Sequence, residues 1–363
     1  MDRSDLDYRI QEIKCLKAKL ESALSDSDES LIPGGEIPDG IRVYIDKILD
    51  MIPTDIRHVM TIAAALGNSF SLRFLSELLE RPLDEIADFF QTDFLDGLFE
   101  ESETSPVERR FRYRPVQNAI LSALSATQKM RINADAASLL EQQYLAGQRS
   151  ELRALVAFLA NALPVHGVSK CAAYAKLYAE AKLRQLDPDD AADILEYVTE
   201  KIKISGEAWS PGDMAPLYSI LAKAVYEQDE LRKAESFITK SFDLYVSAND
   251  IESACSAAMM RITGGGIRKH AMRALPYSYG TASLIMKAKQ LVEPGTVLYG
   301  WLLVSDNMPE GYRQAFKISR ELSDGKLESS ALARLLKVEG TVKDGHGTFH
   351  ENRVLKSDEV IDH

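Results

Sequence analysis

The stretch FRYRPVQNAILSAL, residues 111–124, decides which fold the first third of the chain adopts. Its first residues alternate aromatic and basic side chains, as in a strand with one buried face, and its second half repeats apolar residues at helical spacing. Alternation puts Phe111 and Tyr113 on the same face of the strand. The arginines of the opposite face and the preceding turn are Arg109, Arg110, Arg112 and Arg114. These arginines fit a nucleic-acid-binding wing, a phosphate sensor, or the solvated side of a hairpin.

Short helical patterns precede this strand. Residues 41–66 carry two runs of apolar side chains at spacings of three and four, separated by Pro53. Further short helices are predicted at residues 71–79 and 84–93. Three short helices followed by a charged turn and an alternating strand outline a winged helix, which we predict over residues 38–125.

The two ends of the chain have different compositions. Residues 1–24 carry isoleucines and leucines at helical spacing and predict an amphipathic helix that needs a partner surface. Residues 25–37, acidic and rich in Ser, Pro and Gly, predict a flexible linker. Residues 341–363 read as a polar tail in which His346 and His350 lie beside glycines without a carboxylate placed to complete a metal site. We therefore expect no metal and no cofactor.

Residues 126–340 read as Ala-rich amphipathic helices broken by prolines, which predicts stacked helical hairpins. One stretch has the offsets of a 34-residue tetratricopeptide (TPR) unit. Its residues are Tyr218, Leu221, Ala222, Val225, Ala234, Ile238 and Ser241. Ala222 and Ala234 stand where two helices approach closely. A weaker second unit consists of Tyr178, Ala179, Ala191, Leu195 and Val198. The predicted fold class is mainly α, a small winged-helix domain followed by a TPR-like α-solenoid.

The charge balance disfavours nucleic acid as a partner. The chain has 43 Lys and Arg against 55 Asp and Glu, a net charge of −12 that opposes a phosphate backbone. Residues 39–114 alone hold 9 basic and 15 acidic residues, and the helical stretch at 84–96 is itself acidic. A helix of this charge would be repelled from a DNA groove.

The apolar runs are too short to cross a membrane, and the charged N-terminus lacks the apolar core of a signal peptide, so we expect a cytoplasmic protein.

The sequence contains no recognisable catalytic constellation. The glycine-rich stretch TGGGIRKH, residues 263–270, lacks the spacing and the Ser or Thr of a P-loop. His58 and His166 are isolated histidines beside apolar sequence, and the 3 cysteines form neither a CxxC pair nor a Cys/His cluster. We therefore expect that the chain is not an enzyme, and an unfamiliar active site would need a pocket of convergent titratable groups.

Several motifs occur in an order typical of one signalling family. The stretch IPDGIRVYIDKILDMIPTDIRHVMTIAAALGNSFSLRFLSELL starts at Ile37 and is followed by DGLFEE, residues 96–101, and VQNAILSAL, residues 116–124. This series resembles the winged-helix region that follows the nucleotide-binding domain in STAND-type signalling ATPases, as found inside large multidomain sensor kinases and cyclases. The Ala-rich helices and the segments EGYRQAFKIS and LARLLKVEGTVKDGHGTFHE are similar to that family's later repeats. The resemblance covers about residues 37–351.

Two departures from the family bear on nucleotide binding. The resemblance implies a P-loop domain upstream of Ile37, where the sequence has 36 residues. It also implies a phosphate-sensing histidine before the VQNAILSAL-type helix, at the position of Tyr113. We therefore expect no nucleotide sensing. The arginines are then the solvated face and turn of a hairpin or, alternatively, a salt-bridge contact to an acidic partner.

By resemblance, the expected function is regulatory. The chain would be a non-catalytic protein-interaction module of a signal-transduction ATPase or sensor-kinase-like protein without its own nucleotide-binding domain, and its partner would be another protein or a signalling domain. The alternative is a winged-helix DNA-binding transcription regulator with a helical effector domain. Candidate interaction or structural positions are Arg110, Arg112, Tyr113, Arg114, Tyr218, Ala222 and Ala234.

Overall fold

The structure is a computed structural model that describes residues 3–25, 39–102, 105–148, 151–228, 230–263, 279–306 and 308–343. Most of the predicted linker and tail, both tail histidines and the stretch at 264–270 lie outside the described residues. The chain divides into two compact units. The first unit comprises Met1–Tyr178 and Ile194–Trp209, and the second comprises Ala179–Asp193 and Ser210–His363.

Within these ranges the fold is mainly α, as predicted, with one small sheet. The helices before the division are α1 (Arg3–Ser25), α2 (Asp39–Met51), α3 (Thr54–Leu66), α4 (Leu72–Leu79), α5 (Leu83–Phe90), α6 (Arg114–Ala123), α7 (Ala126–Leu145), α8 (Leu152–Asn161) and α9 (Leu163–His166). The strands are β1 (Ser69–Ser71), β2 (Phe99–Ser102) and β3 (Ser105–Phe111). The division falls within α10 (Val168–Arg184) and α11 (Pro188–Ser205).

The second unit continues with helices alone in the residues that the structure describes. These are α12 (Pro211–Glu227), α13 (Leu231–Ser247), α14 (Ile251–Thr263), α15 (Tyr279–Leu291), α16 (Val297–Ser305), α17 (Pro309–Leu322) and α18 (Gly325–Lys343). Helices that follow each other in sequence pack on each other, α12 on α13, α13 on α14, α16 on α17 and α17 on α18. The helical-repeat character predicted from the sequence is present in this unit.

The sheet of the first unit is antiparallel with the strand order β1-β3-β2. The central strand β3 ends at Phe111, whereas the sequence pattern predicted a strand through Arg114. Helix α6 begins at Arg114 because Pro115, whose fixed φ suits a first helical turn, stands next to it. Arg109 and Arg110 lie within β3 and not at a turn, which corrects the prediction for these two residues.

The core of the first unit combines an aromatic cluster with aliphatic helix faces. Phe70 of β1 lies between Phe90, Phe99 and Phe111, with ring centroids 5.4, 5.9 and 5.9 Å away. Helix α1 packs on α2 and buries the apolar side chains Ile13, Leu16 and Leu20. The predicted N-terminal amphipathic helix therefore finds its partner surface inside the same chain. Helix α7 packs on α3 and α4, so the predicted domain boundary at residue 125 lies inside this unit and stays a prediction.

The hairpin α12–α13 contains the repeat positions predicted from the sequence. Ser210 and Asp213 form a capping box that starts α12. The predicted repeat positions are all buried, namely Tyr218, Leu221, Ala222, Val225, Ala234, Ile238 and Ser241. The Ser241 hydroxyl donates a hydrogen bond across the hairpin to the Ala215 carbonyl at 2.9 Å. Helix α12 is apolar and buried on almost every side, so it is an inner helix of the unit.

Candidate interaction surfaces

The arginines of the opening stretch pair with carboxylates of the neighbouring strand. Arg109 Nη2 lies 2.7 Å from Glu101 Oε1, and Arg110 Nη2 lies 2.5 Å from Glu100 Oε2. Each pair joins residues that stand directly opposite each other on β2 and β3. Opposite charges on facing residues stabilise a strand pair, so these guanidinium groups are held in the sheet. Arg109 is buried and Arg110 stays exposed.

The next two residues of the stretch contact helix α1. Arg112 Nη1 lies 3.5 Å from Glu21 Oε1, and its Nε lies 3.7 Å from Glu100 Oε1. The Tyr113 hydroxyl donates a hydrogen bond to Glu21 Oε1 at 2.9 Å. Burial and this hydrogen bond raise the pKa of Tyr113 to about 12. Arg114 is the first residue of α6 and is exposed. Arg110 and Arg112 thus meet glutamates of their own chain, although both remain partly solvated as the sequence predicts.

A lysine of α1 is buried against the turn that follows α5. Lys17 Nζ donates hydrogen bonds to the backbone carbonyls of Asp93 and Asp96. Only 8% of Lys17 is exposed, and burial lowers its pKa to about 8. The sequence pattern gave no sign of this contact, because Lys17 lies between the buried positions of an amphipathic helix and its acceptors are main-chain atoms.

Helix α5 and the turn after it present an acidic surface. The exposed carboxylates of this surface are Asp84, Glu85, Asp88, Asp93 and Asp96. In a DNA-binding winged helix, the corresponding helix would enter the major groove beside phosphates. A row of carboxylates there raises the electrostatic cost of approaching DNA.

Helix α17 presents the opposite charge. Arg313, Lys317 and Arg320 follow each other at spacings of four and three and are exposed, so they lie on one face of the helix. Lys317 Nζ is 3.9 Å from Glu321 Oε1, a long contact between two exposed side chains. In a chain with a net charge of −12, this helix face offers a basic surface to an acidic partner.

The candidate positions of the repeat are packing positions. Tyr218 stacks on Phe237 with ring centroids 5.9 Å apart, and Lys240 Nζ lies 5.7 Å from the centre of the Tyr218 ring. Ala222 and Ala234 are almost fully buried in the hairpin. A side chain that is buried inside the unit is not available to a partner, so these three residues contribute to the packing of the hairpin and not to a binding surface.

A cleft of about 660 Å³ opens in the first unit. It is bordered by α4, by β1 and β3, and by α7 and α8, and its apolar lining includes Phe74, Leu140 and Phe158. Glu77, Glu108 and Glu151 bring carboxylates to the same cleft. Sequence reasoning missed this site because its residues come from three separate parts of the chain, residues 66–77, residue 108 and residues 140–158.

Two cysteines and one histidine lie in packed surroundings, whereas Cys15 is exposed. Cys171 and Cys255 are buried, and burial raises the pKa of the two thiols to about 12 and about 11, so both stay protonated at neutral pH. The imidazole Nε2 of His166 lies 3.1 Å from the Ala134 carbonyl oxygen. Within the described ranges, no group of His, Cys, Asp or Glu side chains has the geometry of a metal site.

None of the helices in the described part of the chain is both long enough and apolar enough to cross a bilayer. The cytoplasmic location stays a prediction of the sequence.

Comparison with known proteins gives one similar solved structure. No family model matches the chain, and no curated protein matches it. The chain is similar to a signal transduction ATPase with numerous domains (STAND) that carries a tetratricopeptide repeat sensor, from Pyrococcus horikoshii, with 13% sequence identity and a TM-score of 0.33. The match covers 85% of this chain and 51% of that protein, so the chain spans about half of its length.

Proposed function

We propose that this chain is a non-catalytic regulatory module that binds a protein partner, or a partner signalling domain, through its helical repeat. The observation that carries the proposal is the succession of helices in the second unit, each packed on its neighbour in sequence. Stacked helical pairs bury their apolar faces against each other and leave an extended polar surface suited to a partner. The face of α17 that carries Arg313, Lys317 and Arg320 is part of that surface, and these basic side chains favour an acidic partner.

The proposal also assigns residues 38–125 to a winged helix of the kind found in STAND-type signalling proteins, which the sequence resembles. Its support is the element order α3, β1, α4, α5, β2, β3 and the antiparallel sheet order β1-β3-β2. In this assignment α5 takes the place of the recognition helix. Its acidic surface suits a role in protein contacts.

A photo-crosslinking experiment tests the proposed partner surface. Benzoylphenylalanine is placed at Lys317 on α17, at Asp243 on α13, or at Asp88 on α5, all of which are exposed. We expect irradiation of cells to trap the same protein from Lys317 and Asp243. Crosslinks that arise from Asp88 alone, or none from either helical-repeat position, would contradict the proposal.

A DNA-binding measurement separates the proposal from the transcription-regulator alternative. Fluorescence anisotropy of a labelled duplex is followed at about 50 and about 200 mM salt, because phosphate contacts weaken binding steeply between these concentrations. We expect no saturable binding at either concentration. Tight binding at low salt with a steep salt dependence would favour the alternative, in which Arg114 and the paired arginines reach phosphates.

A further inference from the structure

The cleft of the first unit has an apolar wall and an acidic rim. Its apolar side chains come from α4, α7 and α8, with Phe74 and Phe158 half-buried and Leu140 buried. A half-buried aromatic ring can still bury further apolar area against a ligand, and a cleft of about 660 Å³ is within the usual size of binding sites. The cleft can therefore take apolar side chains of a partner.

The rim of the cleft carries more negative than positive charge. Glu77, Glu108 and Glu151 line it together with Arg73. Glu77 accepts a hydrogen bond from the neutral Gln143 amide at 2.7 Å. Among the residues that the structure describes, none of these three carboxylates forms an ion pair. Their charges are available to a basic ligand, whereas the carboxylates of β2 are occupied by Arg109 and Arg110.

The edge of β1 lies at the same cleft. Phe111 N donates to the Asn68 carbonyl at 2.9 Å, which makes these two residues a hydrogen-bonded pair of the antiparallel ladder. Bonded and non-bonded pairs alternate in such a ladder, and Ser69 faces Arg110 in the next pair. The N–H and C=O groups of Ser69 therefore point away from β3, towards the outer edge of β1. An extended peptide uses such an edge for main-chain hydrogen bonds.

We propose that this cleft binds an extended segment of a partner protein in which basic residues alternate with apolar ones, laid along the edge of β1. The apolar side chains pack on Phe74 and Phe158, and the basic side chains reach Glu108 and Glu151. The edge main chain favours a peptide over a small molecule, and the acidic rim favours a basic sequence over an acidic one. This site lies in the first unit and is separate from the helical-repeat surface, so either assignment can fail without the other.

The test uses the full chain and a dye-labelled peptide of the sequence GSKFKLKSG in a fluorescence anisotropy titration. Two comparison peptides, GSKSKSKSG and GSEFELESG, remove the apolar side chains or reverse the charge. A third comparison peptide carries N-methyl groups on all five central residues of GSKFKLKSG, so it has no main-chain N–H donor left in this part whichever residues face β1. We expect saturable binding of GSKFKLKSG with one site per chain, and binding at least about tenfold weaker for each comparison peptide, since each loses one of the three contacts.

Variants of the chain locate the site. Ala154→Trp fills the cleft and Glu108→Lys reverses one rim charge, and each is expected to weaken binding about tenfold. The matched controls are Ala333→Trp on the exposed side of α18 and Asp84→Lys on α5, which are expected to change binding less than about twofold. Thermal unfolding checks that each variant is folded. If Ala154→Trp does not fold, the result for Glu108→Lys decides the test.

Three results would overturn the proposal. The first is no saturable binding of GSKFKLKSG. The second is equal weakening by Glu108→Lys and Asp84→Lys, which would mean that the peptide binds the acidic surface as a whole. The third is full binding of the N-methylated peptide, since this peptide cannot add to the edge of β1.

Discussion

The hydroxyl of Tyr113 donates a hydrogen bond to Glu21, 92 positions earlier in the chain, and so joins the start of α6 to α1. The same carboxylate lies 3.5 Å from Arg112. Helix α1 is thus held to the first unit by polar contacts as well as by its apolar face.

Tyr113→Phe is predicted to weaken this attachment. The substitution removes a hydrogen bond to a charged acceptor, and we expect the free energy of unfolding to fall by about 1 kcal/mol. Hydrogen exchange of the α1 amides should become faster. The control is Tyr8→Phe on the same helix, where 66% of the side chain is exposed and an effect below about 0.5 kcal/mol is expected. Equal effects of the two substitutions would mean that the hydrogen bond does not hold α1.

Lys17 is predicted to make stability rise with pH. Below pH 8 the amine is protonated in both the folded and the unfolded state, and the cost of its burial is fully present. Between pH 8 and its usual pKa of 10.5 the unfolded state binds more protons, so the free energy of unfolding increases. Urea unfolding of the parent protein and of Lys17→Met from pH 7 to 10 measures this contribution as the difference between the two profiles. The difference is needed because the raised pKa values of Cys171 and Cys255 lower stability in the same range.

Lys17→Met should remove most of that pH dependence, whereas Lys14→Met, at a side chain with 47% exposure, should keep it. Above pH 10 the raised pKa of Tyr113 acts in the opposite direction: the unfolded state loses the phenolic proton first and stability falls towards pH 12. An equal change of stability between pH 8 and 10 in the parent protein and in Lys17→Met would contradict the assigned burial of Lys17.

Gly311 is predicted to be required for the packing of α17 on α16. A Cβ atom at this position would lie 2.9 Å from the Leu303 carbonyl oxygen, a backbone atom that cannot move away alone. Gly311→Ala should therefore destabilise the second unit by about 1–3 kcal/mol in thermal unfolding. Gly212→Ala is the control, because its Cβ would meet only Ser210 Oγ at 3.7 Å, and we expect a change of about 0.5 kcal/mol or a gain.

Ala234 is predicted to tolerate no larger side chain. It is almost fully buried between α12 and α13, so Ala234→Leu should push the helices apart and cost about 1–3 kcal/mol. Lys233→Leu changes the neighbouring residue, whose side chain is 43% exposed, and should alter stability by only about 0.5 kcal/mol. Melting temperatures of the two variants compare them directly. If Lys233→Leu were the more harmful, the assigned face of α13 would be wrong.

Nucleotide is predicted not to bind near Tyr113. The hydroxyl of Tyr113 is occupied by Glu21, and Arg112 lies between the carboxylates of Glu21 and Glu100, so a phosphate approaching this position meets negative charge. Calorimetric titration with Mg-ATP or ADP at high micromolar concentration should give no saturable heat. A binding isotherm that is lost in Arg112→Ala would disprove this prediction.

Local patterns in the sequence were enough to predict most helices and part of their packing. Apolar spacing predicted the helices of residues 41–66, and small residues at TPR offsets predicted the α12–α13 hairpin, because local periodicity reflects which face of a helix is buried. The end of β3 was misjudged, since alternation continues through residues 111–114 while Pro115 already starts α6. The periodicity of apolar residues indicates which face of a helix or strand is buried. It does not indicate the residue at which one element ends and the next begins.

The contacts of the polar residues could be recognised only in the folded structure. The pairing of Tyr113 with Glu21, the burial of Lys17 and the carboxylates around the cleft all join positions that are far apart in sequence. Such contacts produce no periodic pattern in the sequence. A single charged residue in a sequence does not show whether its side chain is solvated at the surface or paired in the interior. The physical reason is that apolar burial repeats along a chain, whereas an ion pair or a cleft depends on two segments meeting in space.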